Sequence, residues 1–451
     1  VSKSVKTFIA VAAMLAVAAP AMADFKFSGE FRVQGNHYTS AHMGEQDARS
    51  HNIIQQRFRP KLDYRVNDLI SLTYFAEVDT VWGETLATGR DGRVGSDGYN
   101  VQTKNLYADI KIPQIDSNFR LGLQGLRDSF SGVVFFDDMA AANLTGKLPM
   151  NIDYQLFYSK WDTNAYAGRD RVGLRTEYKD TDFYGVDVSH RYGDFAKAGV
   201  AVYYLDNKSM FDVDNVPAGG EGLNLDAEMW WAGLYGDYRF ANLAFQGFAL
   251  YQFGEVLDNA PTNTYVDSEA WAASAKASMI LPNGDIGLRY IWFSADDSET
   301  DADRFYLSQG NYEFTDENLM IFLVDKWVNN EGKNRRAITD AVEAGYGLHA
   351  LVASGNFRNL PMNTYVNLGA GAFFVSDKNP DGGDFGPVNR TLGYEIAARI
   401  GKVFADKFDV SLRGAYAFLD DFYDDADEDR FNNNNDANDV YSVALMARIP
   451  F

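Results

Sequence analysis

Cysteine is absent from all 451 residues. That excludes disulfides, thiolate metal sites and covalently attached c-type haem, so an exported chain of this kind must draw its stability from elsewhere. Basic charge is scarce: 41 Lys and Arg stand against 63 Asp and Glu, a formal net charge of −22. Such acidity argues against nucleic acid as a partner, because phosphate binding needs a basic surface. Histidine occurs five times, at His37, His42, His51, His190 and His349. No Ser-His-Asp constellation, phosphate-binding glycine loop or zinc-ligand pair accompanies them, so no enzymatic activity is expected. His37, His42 and His51, near Glu45 and Asp47, read as solvated loop residues. Long apolar runs are missing as well. Beyond residue 23 the longest conspicuous one is Leu319 to Val324, far short of the roughly 20 residues a spanning helix needs.

The first 23 residues read as a processing segment. Lys3 and Lys6 precede an apolar stretch from Phe8 to Ala19, and Ala21-Met22-Ala23 offers small residues to a signal peptidase. Cleavage after Ala23 is expected to leave one domain over 24–451, with the formal charge moved from −22 to −24 by loss of the two lysines.

What the remainder has is alternation. Phe25, Phe27, Phe31 and Val33 share one face, while Lys26, Ser28, Glu30, Arg32 and Gln34 share the other. Phe58, Leu62, Tyr64 and Val66 stand opposite Arg57, Arg59, Lys61, Asp63 and Arg65. Period two over such lengths predicts strands. Short connectors at 67–68, 193–197, 241–242, 282–285, 359–361 and 405–407 alternate with long polar ones at 38–50, 83–99, 206–226, 255–268, 296–340, 377–389 and 420–438. Such segregation predicts up-and-down hairpins whose two ends face different compartments, and a membrane protein without spanning helices must close into a barrel. The expected fold is all-β: a transmembrane antiparallel up-and-down β-barrel of about 18 strands, with 16 possible, with short periplasmic turns, long extracellular loops, an apolar outer face and a polar lumen. Residues 128–149 admit two readings, a strand over 137–148 or a long inward loop with 171–179 as the strand. An aromatic share of 14% fits the interfacial girdles of such barrels.

The chain stops on an alternating strand, with Tyr441, Val443, Leu445, Ala447, Ile449 and Phe451 on one face. This resembles the C-terminal signature of outer-membrane barrel proteins, whose final aromatic residue is read by the barrel-assembly machinery. By architecture the chain resembles the bacterial general porins. Leu121-Gly-Leu-Gln-Gly-Leu-Arg127 and Tyr192-Gly-Asp-Phe-Ala-Lys197 are most like the porins of sulfate- and metal-reducing bacteria. The Pro-Glu-Phe-Gly-Gly constriction motif of enterobacterial porins is absent. The resemblance implies passage of ions and small hydrophilic solutes by passive diffusion through a water-filled channel. It also implies a homotrimer among outer-membrane lipid and lipopolysaccharide. A substrate-specific channel for a sugar or an organic acid, and a structural or adhesion barrel, remain alternatives.

Candidate functional residues follow from the polar faces. Arg57, Arg59, Lys61 and Arg65 project from one strand, with Lys26 and Arg32 on its neighbour. A ladder of like charge in a lumen favours ions of the opposite sign. Glu77, Asp79, Asp137 and Asp138 are its candidate acidic partners across the pore, with pairing to Asp63 or Glu30 as the plainer reading. The run Leu319 to Val324 is too apolar to stand in water, so it is expected to fold into the mouth, pack on another loop or meet a neighbouring subunit. Asp425, Asp427, Asp429 and Asp436 echo a calcium loop, but Arg430 stands where glycine is needed. Loosely held Ca2+ or Mg2+ at acidic external loops is the expectation there, and no other cofactor.

Overall fold

The computed structural model describes residues 25–39, 50–83, 92, 94, 101–163, 180–207, 227–259, 264–296, 303–305, 309–310, 318–323, 341–342, 345–377, 389–420, 422 and 440–451. The leader at 1–23, the strand alternative at 171–179, the group Asp425, Asp427, Asp429 and Asp436, and His42 with Glu45 and Asp47 lie outside these residues.

The strands are β1 (Phe25–Thr39), β2 (Ser50–Arg65), β3 (Ile70–Val81), β4 (Gln102–Ile112), β5 (Ser117–Arg127), β6 (Phe135–Leu148), β7 (Ile152–Thr163), β8 (Asp180–Tyr192), β9 (Ala196–Asn207) and β10 (Ala227–Phe240). Then come β11 (Leu243–Asn259), β12 (Thr264–Leu281), β13 (Gly284–Phe293), the two-residue β14 (Gln309–Gly310), β15 (Leu348–Leu360), β16 (Thr364–Phe374), β17 (Thr391–Phe404), β18 (Phe408–Leu419) and β19 (Val440–Pro450). Each strand pairs antiparallel with the next, β13 with β15 directly, and β1 closes the ring on β19 from Glu30–Pro450 to Tyr38–Ser442. β14 adds in parallel to the outer end of β6. The result is a closed barrel of 18 strands. Residues 135–148 are a strand, and only the short connection 128–134 remains between β5 and β6. The long connector expected at 255–268 shrinks to 260–263, because β11 and β12 extend toward each other.

Burial runs opposite to that of a water-soluble protein. Phe27 and Leu445 are 57% and 58% exposed, and Leu106, Leu121, Leu234, Leu288, Leu351, Ile396 and Leu412 are exposed likewise, while Arg32, Gln34, Gln124 and Arg289 are buried. Apolar side chains outside and polar ones inside are what hydrocarbon demands of a single-layer barrel. Two aromatic bands bound the outer surface. Near the ends of the long connections, Tyr158, Tyr184, Tyr204, Trp230 and Phe253 follow one another from strand to strand, with centroid spacings from 4.3 to 6.3 Å. At the short-turn end stand Phe195–Tyr238–Phe245 and Phe404–Phe408. From Trp230 to Tyr238 is ~26 Å along β10, or ~20 Å of depth once the strand is tilted, close to the apolar band of outer-membrane barrels. Just beyond the first band, the register sets Asp182, Asp206, Glu228, Glu255 and Asp267 side by side, a charged row that only water or headgroups can border. Introducing Leu288→Arg at mid-depth is expected to cost ~2–4 kcal/mol. Denaturant titration of barrels folded into vesicles would read this, and an unchanged midpoint would place Leu288 away from lipid.

The closure seam rests on one glycine. Gly29 and Phe451 exchange backbone hydrogen bonds at 2.9 and 3.0 Å. The Phe451 ring lies between Phe27 and Phe58, at 5.2 and 5.8 Å. A Cβ at position 29 would come within 2.2 Å of the Arg59 carbonyl oxygen and 2.8 Å of the Phe451 ring. Gly29→Val is therefore expected to destabilise the closed barrel by on the order of 3 kcal/mol through overpacking. A loss of heat-modifiable folded protein on electrophoresis checks this.

The expectation of a uniformly polar interior needs correction. In the half of the barrel toward the long connections, most inward residues of β6 to β18 are apolar, with Ser159, Gln252, Ser268 and Glu395 among the exceptions: Met139, Phe157, Phe183, Tyr203, Trp231, Leu250, Ile291, Phe293, Val352 and Phe373 are buried there. They pack against inward stretches of the connections, including Phe130, Val133, Phe305, Leu319 to Leu323, Tyr346 and Phe422. Apolar residues can occupy a lumen when other apolar residues fill the space between them and exclude water.

Candidate functional site: a basic arc beside a dry filling

Strand pairing assembles the ladder. Arg32 stands opposite Arg57, Glu30 opposite Arg59, Ser28 opposite Lys61 and Lys26 opposite Asp63. All face inward with the buried Arg32 and Gln34. Arg65 and Lys26 end the ladder as exposed residues at the short-turn rim.

The acidic candidates divide. Asp79 lies opposite Arg57 on β3 and accepts two hydrogen bonds from its guanidinium, both at 2.6 Å. Glu77 pairs with Arg59 and lies 3.7 Å from Arg57. Both carboxylates therefore flank the ladder on the next strand instead of facing it across the lumen. Asp137 falls on the inward series of β6, opposite Leu126, and is exposed. Asp138 falls on the other series, opposite Gly125, where Lys104 reaches it at 2.5 Å and Asn105 at 2.7 Å. Of the plainer pairings, Asp63 meets Lys61 at 3.3 Å, whereas Glu30 accepts a hydrogen bond from Arg448 of β19, outside the ladder, at 2.8 Å.

Four more arginines extend the ladder into an arc. Arg448 neighbours Arg32 across the seam, and Arg399 neighbours Arg413 between β17 and β18. Arg120 of β5 stacks on Tyr107 at 4.2 Å and binds Asp109 at 2.8 and 3.1 Å. Arg399 lies 4.9 Å from the Tyr365 ring and 3.3 Å from Asp409. Arg32, Arg57, Arg59, Lys61, Arg120, Arg399, Arg413 and Arg448 thus outnumber Glu30, Asp63, Glu77, Asp79, Asp109 and Asp409 by two. Like charges directly opposite one another are unfavourable unless countered, and the interleaved carboxylates counter them while leaving the wall net basic. The alternation in each strand held the signal for these arginines, but only closure places β17–β19 beside β1–β3.

The apolar filling is anchored by two carboxylates. Asp128 is buried and accepts the backbone N–H groups of Phe130 and Gly132 on one oxygen and of Val134 and Phe135 on the other, at 2.6 to 2.8 Å. Burial pushes this carboxyl up and the four N–H groups pull it back, leaving it raised to about 6. The turn it shapes presents Phe130 edge-on to Tyr203, Tyr235 and Phe248 at 5.8 to 6.0 Å. Glu395 of β17 performs the matching task for the run beginning at Leu319, which folds inward: Leu319 to Leu323 are buried, and Phe322 stacks on Phe373 at 4.5 Å. Among the described residues no group of three or more metal-ligating side chains comes together. His37 lies on the outward series, between Asn52 and Tyr441.

No known sequence family matches the chain, and no curated protein matches it in sequence. Solved structures do match in fold. OccK5 (OpdH) of Pseudomonas aeruginosa superposes with a TM-score of 0.55 at 12% identity, covering 96% of this chain and 99% of that one. OccAB4 of Acinetobacter baumannii gives 0.55 at 9%, covering 95% and 98%. OpdK of P. aeruginosa, solved with vanillate, gives 0.53 at 9%, covering 94% and 98%. The chain is an 18-strand antiparallel β-barrel with the fold of the Occ outer-membrane proteins.

Proposed function

We propose that the protein is a channel of the bacterial outer membrane that selects among small hydrophilic solutes, with organic acids as the favoured class. The observation that carries this reading is the net basic arc along one wall, beside apolar side chains that fill much of the half of the lumen toward the long connections. A general porin keeps a broad aqueous bore. Here the apolar filling leaves charged solutes the wall that carries Arg57, Arg59 and Arg120, with the buried Arg32 behind it. Vanillate, found with OpdK, is an aromatic carboxylate, the kind of solute an arginine wall recognises through paired N–H donors. Transport down a gradient needs no energy source. The partners expected from the sequence belong to the same proposal: outer-membrane lipid and lipopolysaccharide, a homotrimer, and an assembly machinery reading Tyr441, Val443, Leu445, Ile449 and Phe451.

The test is stepwise conductance of purified protein in a planar bilayer. Selection predicts that vanillate, added at rising concentration, reduces the chloride current to a plateau while a neutral sugar does not. Current unaffected by either solute would return the protein to the non-selective porins. Silence from a correctly folded barrel would remove the channel reading altogether.

A further inference from the structure

The segment from Asn318 to Leu323 is seated on the inner wall by contacts that come from three strands. Met320, Ile321 and Phe322 donate three successive backbone N–H groups to the Glu395 carboxylate, at 2.6, 3.0 and 2.8 Å. Glu395 is fully buried and projects inward from β17. Asn318, with left-handed backbone, donates its side-chain amide to Asn356 on β15 and to the Leu368 carbonyl on β16, both at 3.1 Å. Two glycines leave room beside the segment: a Cβ at Gly371 would come within 2.7 Å of the Phe373 ring, on which Phe322 stacks, and 2.9 Å of Leu319, and one at Gly393 within 2.1 Å of the Phe418 carbonyl oxygen and 3.1 Å of the Phe322 ring.

Carboxylate, glycines and segment are complementary, yet they are far apart in sequence. Asp128 organises donors only two to seven residues away from itself, so its turn is held locally. Glu395 instead reaches a segment more than seventy residues earlier. A buried carboxylate without such donors would be strongly disfavoured, and three consecutive N–H groups with no acceptor would be disfavoured in turn. Each therefore depends on the other.

We propose that Glu395 is a positioning residue, a wall carboxylate that clamps the Leu319–Leu323 segment inside the barrel and so narrows the solute path there. This rests on the channel reading only for its consequence, the narrowing. The clamp itself can be tested without conduction.

Because the chain has no cysteine, Met320→Cys supplies a single reporter thiol within the clamped segment. In folded, heat-modifiable barrels a maleimide reagent is expected to reach it slowly. Glu395→Ala should raise the labelling rate at least ~10-fold, the weight of one charge-assisted hydrogen bond. Glu395→Gln, which keeps one carbonyl acceptor, should fall between. Gly371→Ala crowds Leu319 and the Phe373 ring under Phe322 while leaving the carboxylate in the chain, and should raise labelling too, which covers the case in which Glu395→Ala does not assemble. In planar bilayers Glu395→Ala should show a larger unit conductance than the parent. Unchanged labelling in folded Glu395→Ala or Gly371→Ala barrels would overturn the clamp. Faster labelling with unchanged conductance would overturn its role in narrowing the path. A parent and variant both silent, yet labelled as expected, would leave the clamp standing and remove the channel reading.

Discussion

Reversing two charges on the ladder, Arg57→Glu with Arg59→Glu, is expected to turn a path that favours anions into one that favours cations. Each reversal changes the local charge by two units, and both residues lie inside the arc, flanked by Glu30, Glu77 and Asp79. At ~6 Å in water a unit charge is worth ~0.7 kcal/mol, so four units amount to ~3 kcal/mol before screening. Moderate salt, with a Debye length near ~8 Å, leaves about half of that. That raises the energy of the anion and lowers that of the cation by about the same amount, roughly tenfold each, so the expected change in anion-to-cation permeability is about a hundredfold. The reversal potential across a potassium chloride gradient reads it directly. The change should shrink in concentrated salt, and the same replacement at Arg65, exposed at the rim, should do much less. An unmoved reversal potential in the double variant would mean that ions do not travel along this wall. The variant also sets new carboxylates beside three old ones, so its barrel should melt earlier than the parent.

A second large effect is expected from Asp128→Ala. One carboxylate satisfies four buried backbone N–H groups, and each buried donor left without an acceptor costs ~1–3 kcal/mol. Even at the low end the sum reaches ~4 kcal/mol, the scale at which a single substitution signals a lost structural device. The turn cannot then keep Phe130 against Tyr203, Tyr235 and Phe248, and water gains access to the filling. Asp128→Asn should be intermediate, because an amide offers one acceptor oxygen in place of two. The near-ultraviolet circular dichroism of the buried aromatic residues reports the filling, while denaturant titration reports the barrel. A variant with parental aromatic signal and parental stability would show that the turn holds without its carboxylate.

The barrel was legible in the sequence because its physics is local. A strand with one face in lipid must alternate, and the alternation in 25–34 or 57–66 needs no knowledge of what lies next to it. The loop lengths, long and short in turn, carry the up-and-down order. The ladder was legible for the same reason, since Arg57, Arg59 and Lys61 sit two residues apart on one strand. Its acidic neighbours were identified as residues but not as geometry. Glu77 and Asp79 look like candidates for either side of a pore until the register places β3 beside β2. The outer half of the interior was harder still. In Met229-Trp230-Trp231 the inward and outward residues are all apolar, and periodicity does not tell two apolar faces from one.

By itself, then, the amino-acid order determined most of the strands, their even parity, the outward face, the aromatic ends and the existence of a basic face, because each depends on neighbours one or two residues away; closure of the ring decided 18 strands over 16. Tertiary structure alone decided what fills the lumen and who partners whom. Arg448 meets Arg32 only when the ring closes, and Glu395 meets Met320 to Phe322 only when a connection folds inward. Such contacts join groups distant along the chain, and their free energy comes from excluding water between surfaces that the linear order never sets side by side.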